Sequence, residues 1–339
     1  MPRVHRIDRG PTPTHARQGR RAASRALILA LPLLLGGCAM GPLSFFDPLG
    51  PVAAAQRSMF FQVVGWMSIV VVPVLVLVPL FAWRYRRTNT RARYTPDWRF
   101  SWPIEIAIWA VPITIVIVLG GVIWKARSLD PYRPIPSAST QAPLEIEVVG
   151  LDWKWLFIYP KERIATVGTL AIPAGRPVRF RLTSDTVMQS FAIPALGSQI
   201  YAMAGMVTEL NLLADRPGER RGHNTQFSGM GFQNQRFSVS ALPSPGFADF
   251  VRAAQLADRP LDDAALATLT RQGSARDAAQ ALGAPGDQIV FSGVEPALFE
   301  RFVARHRPAM AHRMDGSTPA APLADANPMP EMEGAHDGH

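Results

Sequence analysis

A single cysteine in 339 residues excludes an intramolecular disulfide framework and any site that draws two or more thiolates from this chain. No Ser–His–Asp set, phosphate-binding glycine loop or zinc-ligand spacing is present, so the common hydrolytic, nucleotide-binding and zinc-based chemistries lack their residues. Charge is sparse at 18% of residues, and the hydrophobic share of 48% is too low for a many-span transporter. At roughly 150 residues per domain, the length fits a few membrane spans and a soluble domain. The formal charge of +9 would suit a nucleic-acid partner, but its distribution excludes one. Residues 1–25 hold seven Arg and one Asp, and residues 84–101 hold six Arg and one Asp. Without those two segments the chain carries a net −2. Each basic segment borders an apolar run, which is the pattern of membrane topology signals and not of a basic binding face.

Three apolar runs follow. The first, residues 26–37, is only 12 residues long. At about 1.5 Å per residue it cannot cross a hydrocarbon core of roughly 30 Å, and it follows a basic stretch as the core of a signal peptide does. It ends in Leu35-Gly36-Gly37-Cys38, which resembles a bacterial lipoprotein cleavage box. The expectation is a signal peptide over residues 1–37 and lipidation of Cys38. The second run, residues 60–83, is uncharged, and the third, residues 102–124, contains one charge, Glu105. Both are long enough to span, and Trp66, Trp83, Trp102 and Trp124 lie near the expected interfaces. Pro73, Pro79 and Pro112 are tolerated in membrane helices packed against neighbours. The six-arginine loop 84–101 belongs in the cytoplasm by the positive-inside rule, so the segment 38–59 and everything after residue 124 lie outside. A lipidated N-terminus requires the same orientation.

Beyond a proline-rich linker (125–143) the pattern becomes one of short alternating strands. Arg179, Arg181 and Thr183 alternate with Val178, Phe180 and Leu182, and Glu209 and Asn211 with Thr208, Leu210 and Leu212. Turn signals such as Pro173-Ala174-Gly175 and Asp215-Arg216-Pro217-Gly218 separate them. Residues 144–242 therefore read as an all-β sandwich or barrel. From 243 to 307 the period is helical, with Phe247, Phe250, Val251 and Ala254 on one face. Residues 308–339 carry no periodicity and read as a disordered Met/His-rich tail. Its Met310, His312, Met314, Met329, Met332, His336 and His339 are able to hold copper loosely at most.

Two spans followed by an exported sandwich is the layout of subunit II of haem–copper terminal oxidases. The run Asp152-Trp153-Lys154-Trp155-Leu156-Phe157-Ile158-Tyr159-Pro160 resembles the aromatic signature of that family, and Ser190-Phe191-Ala192-Ile193-Pro194 resembles its next signature. The stretches 152–160 and 199–206 are most similar to the subunit of the cytochrome bo-type ubiquinol oxidase. The resemblance implies a membrane-anchored all-β protein: an antiparallel transmembrane hairpin, a cupredoxin-like β-sandwich and a short helical C-terminal region.

In copper-bearing relatives the sandwich holds a dinuclear copper (CuA) on two His, two Cys, a Met and a Glu carbonyl. By motif position the first His corresponds here to Gln189, the two Cys to Asn224 and Ser228, and the Glu to Gln226. The second His corresponds to Phe232 and the Met to Gln235. Soft thiolates are required to bridge two coppers, and none remains. His223 and Met230 lie nearby but are a weak substitute. The resemblance thus implies no metal on this chain and no entry point for electrons from cytochrome c, leaving a membrane quinol as donor. Two haems and CuB would sit on subunit I, with subunits I, III and IV as partners alongside membrane lipid and the quinol pool. Trp153 matches the tryptophan that receives electrons in copper-bearing relatives, and here a packing role is the simpler reading. Glu105, in Trp102-Pro103-Ile104-Glu105, matches a glutamate that marks the cytoplasmic mouth of a proton channel; the plainer alternative is an interfacial carboxylate reaching the headgroups. A menaquinol oxidase subunit is the runner-up. A copper-handling exported lipoprotein would retain metal ligands, and a two-span sensor would need more than an 18-residue cytoplasmic loop.

Overall fold

The computed structural model describes residues 45–92, 97, 99–126, 131–135, 141–197 and 199–314. The expected signal peptide and Cys38 lie outside them, as does the tail beyond Met314.

Two long helices come first: α1, Pro51–Arg84, and α2, Trp102–Ala126. Both are long and apolar enough to cross a membrane, with almost none of their apolar surface covered by the rest of the chain. At about 1.5 Å per residue the 34 residues of α1 exceed the roughly 20 a span needs. The helix starts nine residues before the apolar run 60–83, and those extra turns are anchored on the sandwich. Val52 and Ala53 are buried. Gly197, at φ +101°, lies so close that a Cβ would come within 2.7 Å of the Ala53 nitrogen. Leu49 N–H donates to Ala195 O and Asp215 N–H donates to Leu49 O, both at 2.7 Å. Asp47 pairs with Arg216 and Arg220.

The sandwich is built from β1 (Leu144–Leu151), β2 (Lys154–Tyr159), β3 (Ile164–Val167), β4 (Thr169–Pro173), β5 (Val178–Ser184), β6 (Gln189–Ala192), β7 (Gln199–Ala202), β8 (Thr208–Leu212), β9 (Gly218–Asn224) and β10 (Arg236–Leu242). A late strand, β11 (Ile289–Phe291), joins them. One sheet has the order β11-β3-β2-β1-β5-β8, the other β4-β10-β9-β6-β7. The β1–β5 and β4–β10 pairs are parallel, with Ile146 opposite Phe180 and Val239 opposite Leu170. Between the sheets, Phe191 and Phe237 stack at 5.3 Å with nearly parallel rings, and Trp155 meets Phe191 edge-on at 5.3 Å.

A second core lies on the other face of the six-stranded sheet. Helices α3 (Ser244–Gln255), α4 (Asp263–Thr270), α5 (Ala275–Ala281) and α6 (Leu298–Met314) form the C-terminal arm with β11. Leu266, Leu269, Phe291, Phe299 and Phe302 from this arm pack on Val149, Leu156, Ile158 and Val167. Strand β2 therefore alternates between two apolar environments, with Trp155, Phe157 and Tyr159 facing one core and Leu156 and Ile158 the other. The expected helical arm also contributes a strand to the sheet, and α6 continues into the segment read as tail.

Candidate functional site

Four of the six residues at the expected copper-ligand positions, Gln189, Asn224, Ser228 and Gln235, converge where β6, β9 and the turn before β10 meet. Gln189 opens β6, Asn224 closes β9, and a 3-10 turn over Phe232–Asn234 delivers Gln235 beside them. All three are buried. Gln235 Nε2 donates to Gln189 Oε1 at 2.5 Å and reaches the carbonyls of Lys154 at 3.3 Å and Leu151 at 3.4 Å. Gln189 Nε2 donates to Leu151 O at 3.1 Å. Asn224 Nδ2 donates to Gln235 Oε1 at 2.9 Å and to Ser228 Oγ at 3.0 Å. Its Oδ1 accepts from the backbone N–H of Ser190 and of Gln226, each at 2.9 Å.

These partners bind the cluster into a neutral network whose amide groups satisfy one another. Buried polar groups persist only when paired, because each unsatisfied one costs about 1–3 kcal/mol. Such a donor set does not fit a dinuclear copper: it offers amides and a hydroxyl, without thiolate or imidazole, and its atoms are committed to each other. Gln226 contributes its backbone N–H, while Phe232 stands apart, edge-on to Phe227 at 5.2 Å. His223 lies on the opposite face of β9 from Asn224, since neighbouring strand residues alternate. Burial and the nearby Arg236 hold its imidazole below the usual range. Met230 is 85% exposed. Among the described residues no group of three or more His, Cys, Asp or Glu is placed to hold a metal.

Trp153 packs under the β9–β10 loop in a left-handed conformation, φ 63°. Its Nε1 donates to Ser228 O at 3.0 Å. Gly231 is needed beneath it, since a Cβ there would fall 2.2 Å from the indole. Trp155 is wholly in the sandwich core. Far from this region, Glu105 occupies the first turn of α2, and Trp109 Nε1, one turn on, donates to its Oε1 at 3.1 Å.

Two buried charges escape sequence reasoning. Lys154 is 2% exposed and donates to the carbonyls of Asp152 at 3.0 Å and of Arg271 and Gly273 at 2.8 Å, tying the aromatic strand to the arm. Burial lowers its pKa to about 8. Glu147, on β1, faces Arg181 at 2.8 Å, and Arg181 also binds Glu300 of α6 at 2.8 Å. The signal for Lys154 is its place between two tryptophans in a strand; Glu147 carries none, since it looks like an ordinary solvent-facing position.

Two long apolar helices, the first docked by its opening turns on a two-sheet cupredoxin-like sandwich, give the layout of an oxidase subunit II. The family described as cytochrome c oxidase subunit II, periplasmic domain, matches residues 160–239. The chain is 42% identical over 289 residues to cytochrome bo(3) ubiquinol oxidase subunit 2 of Pseudomonas aeruginosa, covering 84% of this chain and 82% of that protein. It is 42% identical over 293 residues to ubiquinol oxidase subunit 2 of Acetobacter aceti, covering 86% and 90%. A solved periplasmic domain of cytochrome oxidase subunit II from Bradyrhizobium japonicum aligns with 33% of this chain and 94% of its own, at 22% identity and a TM-score of 0.32. The chain belongs to the ubiquinol oxidase subunit 2 family, the second subunits of respiratory quinol-oxidising oxidoreductase complexes. With its two apolar helices, that makes it an inner-membrane protein with a periplasmic domain.

Proposed function

We propose that the chain is the copper-free subunit II of a proton-pumping terminal oxidase of the cytochrome bo type, which oxidises ubiquinol and reduces oxygen to water. The observation that carries this reading is the closed amide network of Gln189, Asn224, Ser228 and Gln235 at the position where copper-bearing relatives hold their metal. A domain without that centre gives a water-soluble cytochrome no relay, so electrons enter the complex from the membrane. Quinol oxidation and oxygen reduction then belong to subunit I, with its two haems and CuB, and this chain braces subunit I beside subunits III and IV. Its mature N-terminus, lipidated at Cys38, and its sandwich lie on the periplasmic side, with both helices crossing the membrane. The purified complex is expected to oxidise ubiquinol and not reduced cytochrome c. Cytochrome c turnover, or a haem-free monomer after mild detergent extraction, would defeat the reading.

Within that complex Glu105 is assigned to the cytoplasmic mouth of a proton path. Its position in the first turn of α2 and its indole partner support this, since Trp109 holds the carboxylate toward one side of the helix. Glu105→Gln is expected to slow oxygen reduction and proton uptake several-fold while the complex assembles normally. Unchanged turnover would leave only the interfacial role.

A further inference from the structure

A basin of about 510 Å³ opens at the seam between the five-stranded sheet and the C-terminal arm. Its walls come from the outer face of β9 and β10, the 3-10 turn, and the start of α5. Three arginines line it: Arg221 on β9, Arg236 on β10 and Arg276 on α5. One acid, Asp287, shares the lining, so the basin carries a net charge of +2.

Among the described residues these arginines, like Arg163, Arg176, Arg259 and Arg271, make no ion pair, while other arginines of the domain do. Elsewhere in the domain Arg179 pairs with Glu209, Arg181 with Glu147 and Glu300, Arg301 with Asp263 and Glu295, and Arg305 with Asp185. Among the described residues no carboxylate lies within 4.0 Å of Arg221, Arg236 or Arg276. Arg236 Nε donates to Gln233 O at 3.0 Å, which fixes the guanidinium and leaves its terminal nitrogens without a described partner. The carboxylate nearest in sequence to Arg276, Asp277, is committed to capping: Ser274 N–H and Oγ donate to it at 2.7 and 2.8 Å. The rest of the lining adds donors, from the side chains of Gln233, Asn234 and Ser238.

We infer that this basin is a binding site for a phosphate-class anion. Guanidinium forks match phosphate oxygens in pairs, and charge-assisted bonds of this kind are roughly twice as strong as neutral ones. A single carboxylate would satisfy one fork and leave a positive excess, whereas an anion with two or more charges neutralises the basin. The volume lies within the range of small-ligand sites and is far larger than a halide needs. Because sandwich and arm both contribute arginines, the bound anion also ties the arm to the sheet.

The test uses the full-length chain, purified in detergent with its co-purifying subunits in phosphate-free, low-salt buffer. Calorimetric titration with inorganic pyrophosphate probes a free anion. Native mass spectrometry from nanodiscs containing phosphatidic acid, a phosphomonoester lipid, or of phosphatidylcholine alone probes a lipid headgroup. Wild type is expected to bind pyrophosphate, or to retain phosphatidic acid selectively, and occupancy is expected to slow proteolysis of residues 263–281. The double variant Arg221→Gln/Arg276→Gln is expected to weaken binding at least tenfold, while Arg221→Lys/Arg276→Lys keeps most of it and both retain the wild-type thermal midpoint. Equal binding by the glutamine variant, or no binding of either probe by wild type, overturns the proposal.

Discussion

Glu147 shows how burial changes the meaning of a residue that the sequence presents as ordinary. It alternates with Ile146 and Val148, so its side chain belongs on the face away from the sandwich core, where water would normally be found. The arm covers that face. Desolvation raises the carboxyl pKa to about 7, against the pull of Arg181 and with the repulsion of Glu145 and Glu300. One of its oxygens, Oε2, is buried without a partner. The consequence for stability follows from linkage. Below the ordinary carboxylate pKa of about 4.5 both folded and unfolded chains are protonated and the site costs nothing. As pH rises toward 7 the unfolded chain ionises first, so stability falls through that window. Glu147→Gln cannot ionise, so its thermal midpoint is expected to gain on wild type between pH 5 and pH 8, with the gap smallest at pH 5. Parallel midpoints at both pH values would mean that Arg181 fully compensates the buried charge.

At the scale of elements, strand β2 explains why the aromatic signature is so dense. A strand with one face in water reads as alternating apolar and polar residues, but β2 is buried on both sides and reads Lys-Trp-Leu-Phe-Ile-Tyr. The Trp, Phe and Tyr positions fill the sandwich, and Tyr159 hydroxyl donates to Ala171 O and accepts from Ala171 N–H at 2.9 and 3.0 Å. The Leu and Ile positions seat the arm. Lys154 secures it at the end of the strand, through the carbonyls of Arg271 and Gly273 between α4 and α5. Lys154→Met keeps the aliphatic stem but leaves those acceptors unpaired, at a cost of about 1–3 kcal/mol for each that stays buried. Hydrogen exchange over residues 263–281 is expected to accelerate in that variant while β5 and β10 stay protected. Unchanged exchange in the arm would show that its apolar contacts alone hold it. The first helix behaves similarly: hydropathy marked residues 60–83, yet the helix begins at Pro51 because its first turns have a docking partner on the sandwich that hydropathy does not record.

For the whole molecule, the charge distribution acts as an address. The arginines of the 84–101 loop are expected to lie on the cytoplasmic side by the positive-inside rule, while seven of those in the exported domain are held in ion pairs. Thr90→Cys is expected to react with a membrane-impermeant maleimide only after the inner membrane is opened, and Lys161→Cys in intact spheroplasts; labelling in the reverse order would invert the topology. The sequence by itself determined the two apolar helices, the sandwich and the family, and singled out Gln189, Asn224, Ser228 and Gln235 for attention, because hydropathy, strand alternation and motif spacing are all local along the chain. Only the tertiary structure decided that those four residues close into one hydrogen-bonded network, that the arm buries the second face of the sheet, and that three arginines share one basin. Each depends on residues tens of positions apart meeting at a particular register, and a contact of that kind leaves no periodic trace in the chain.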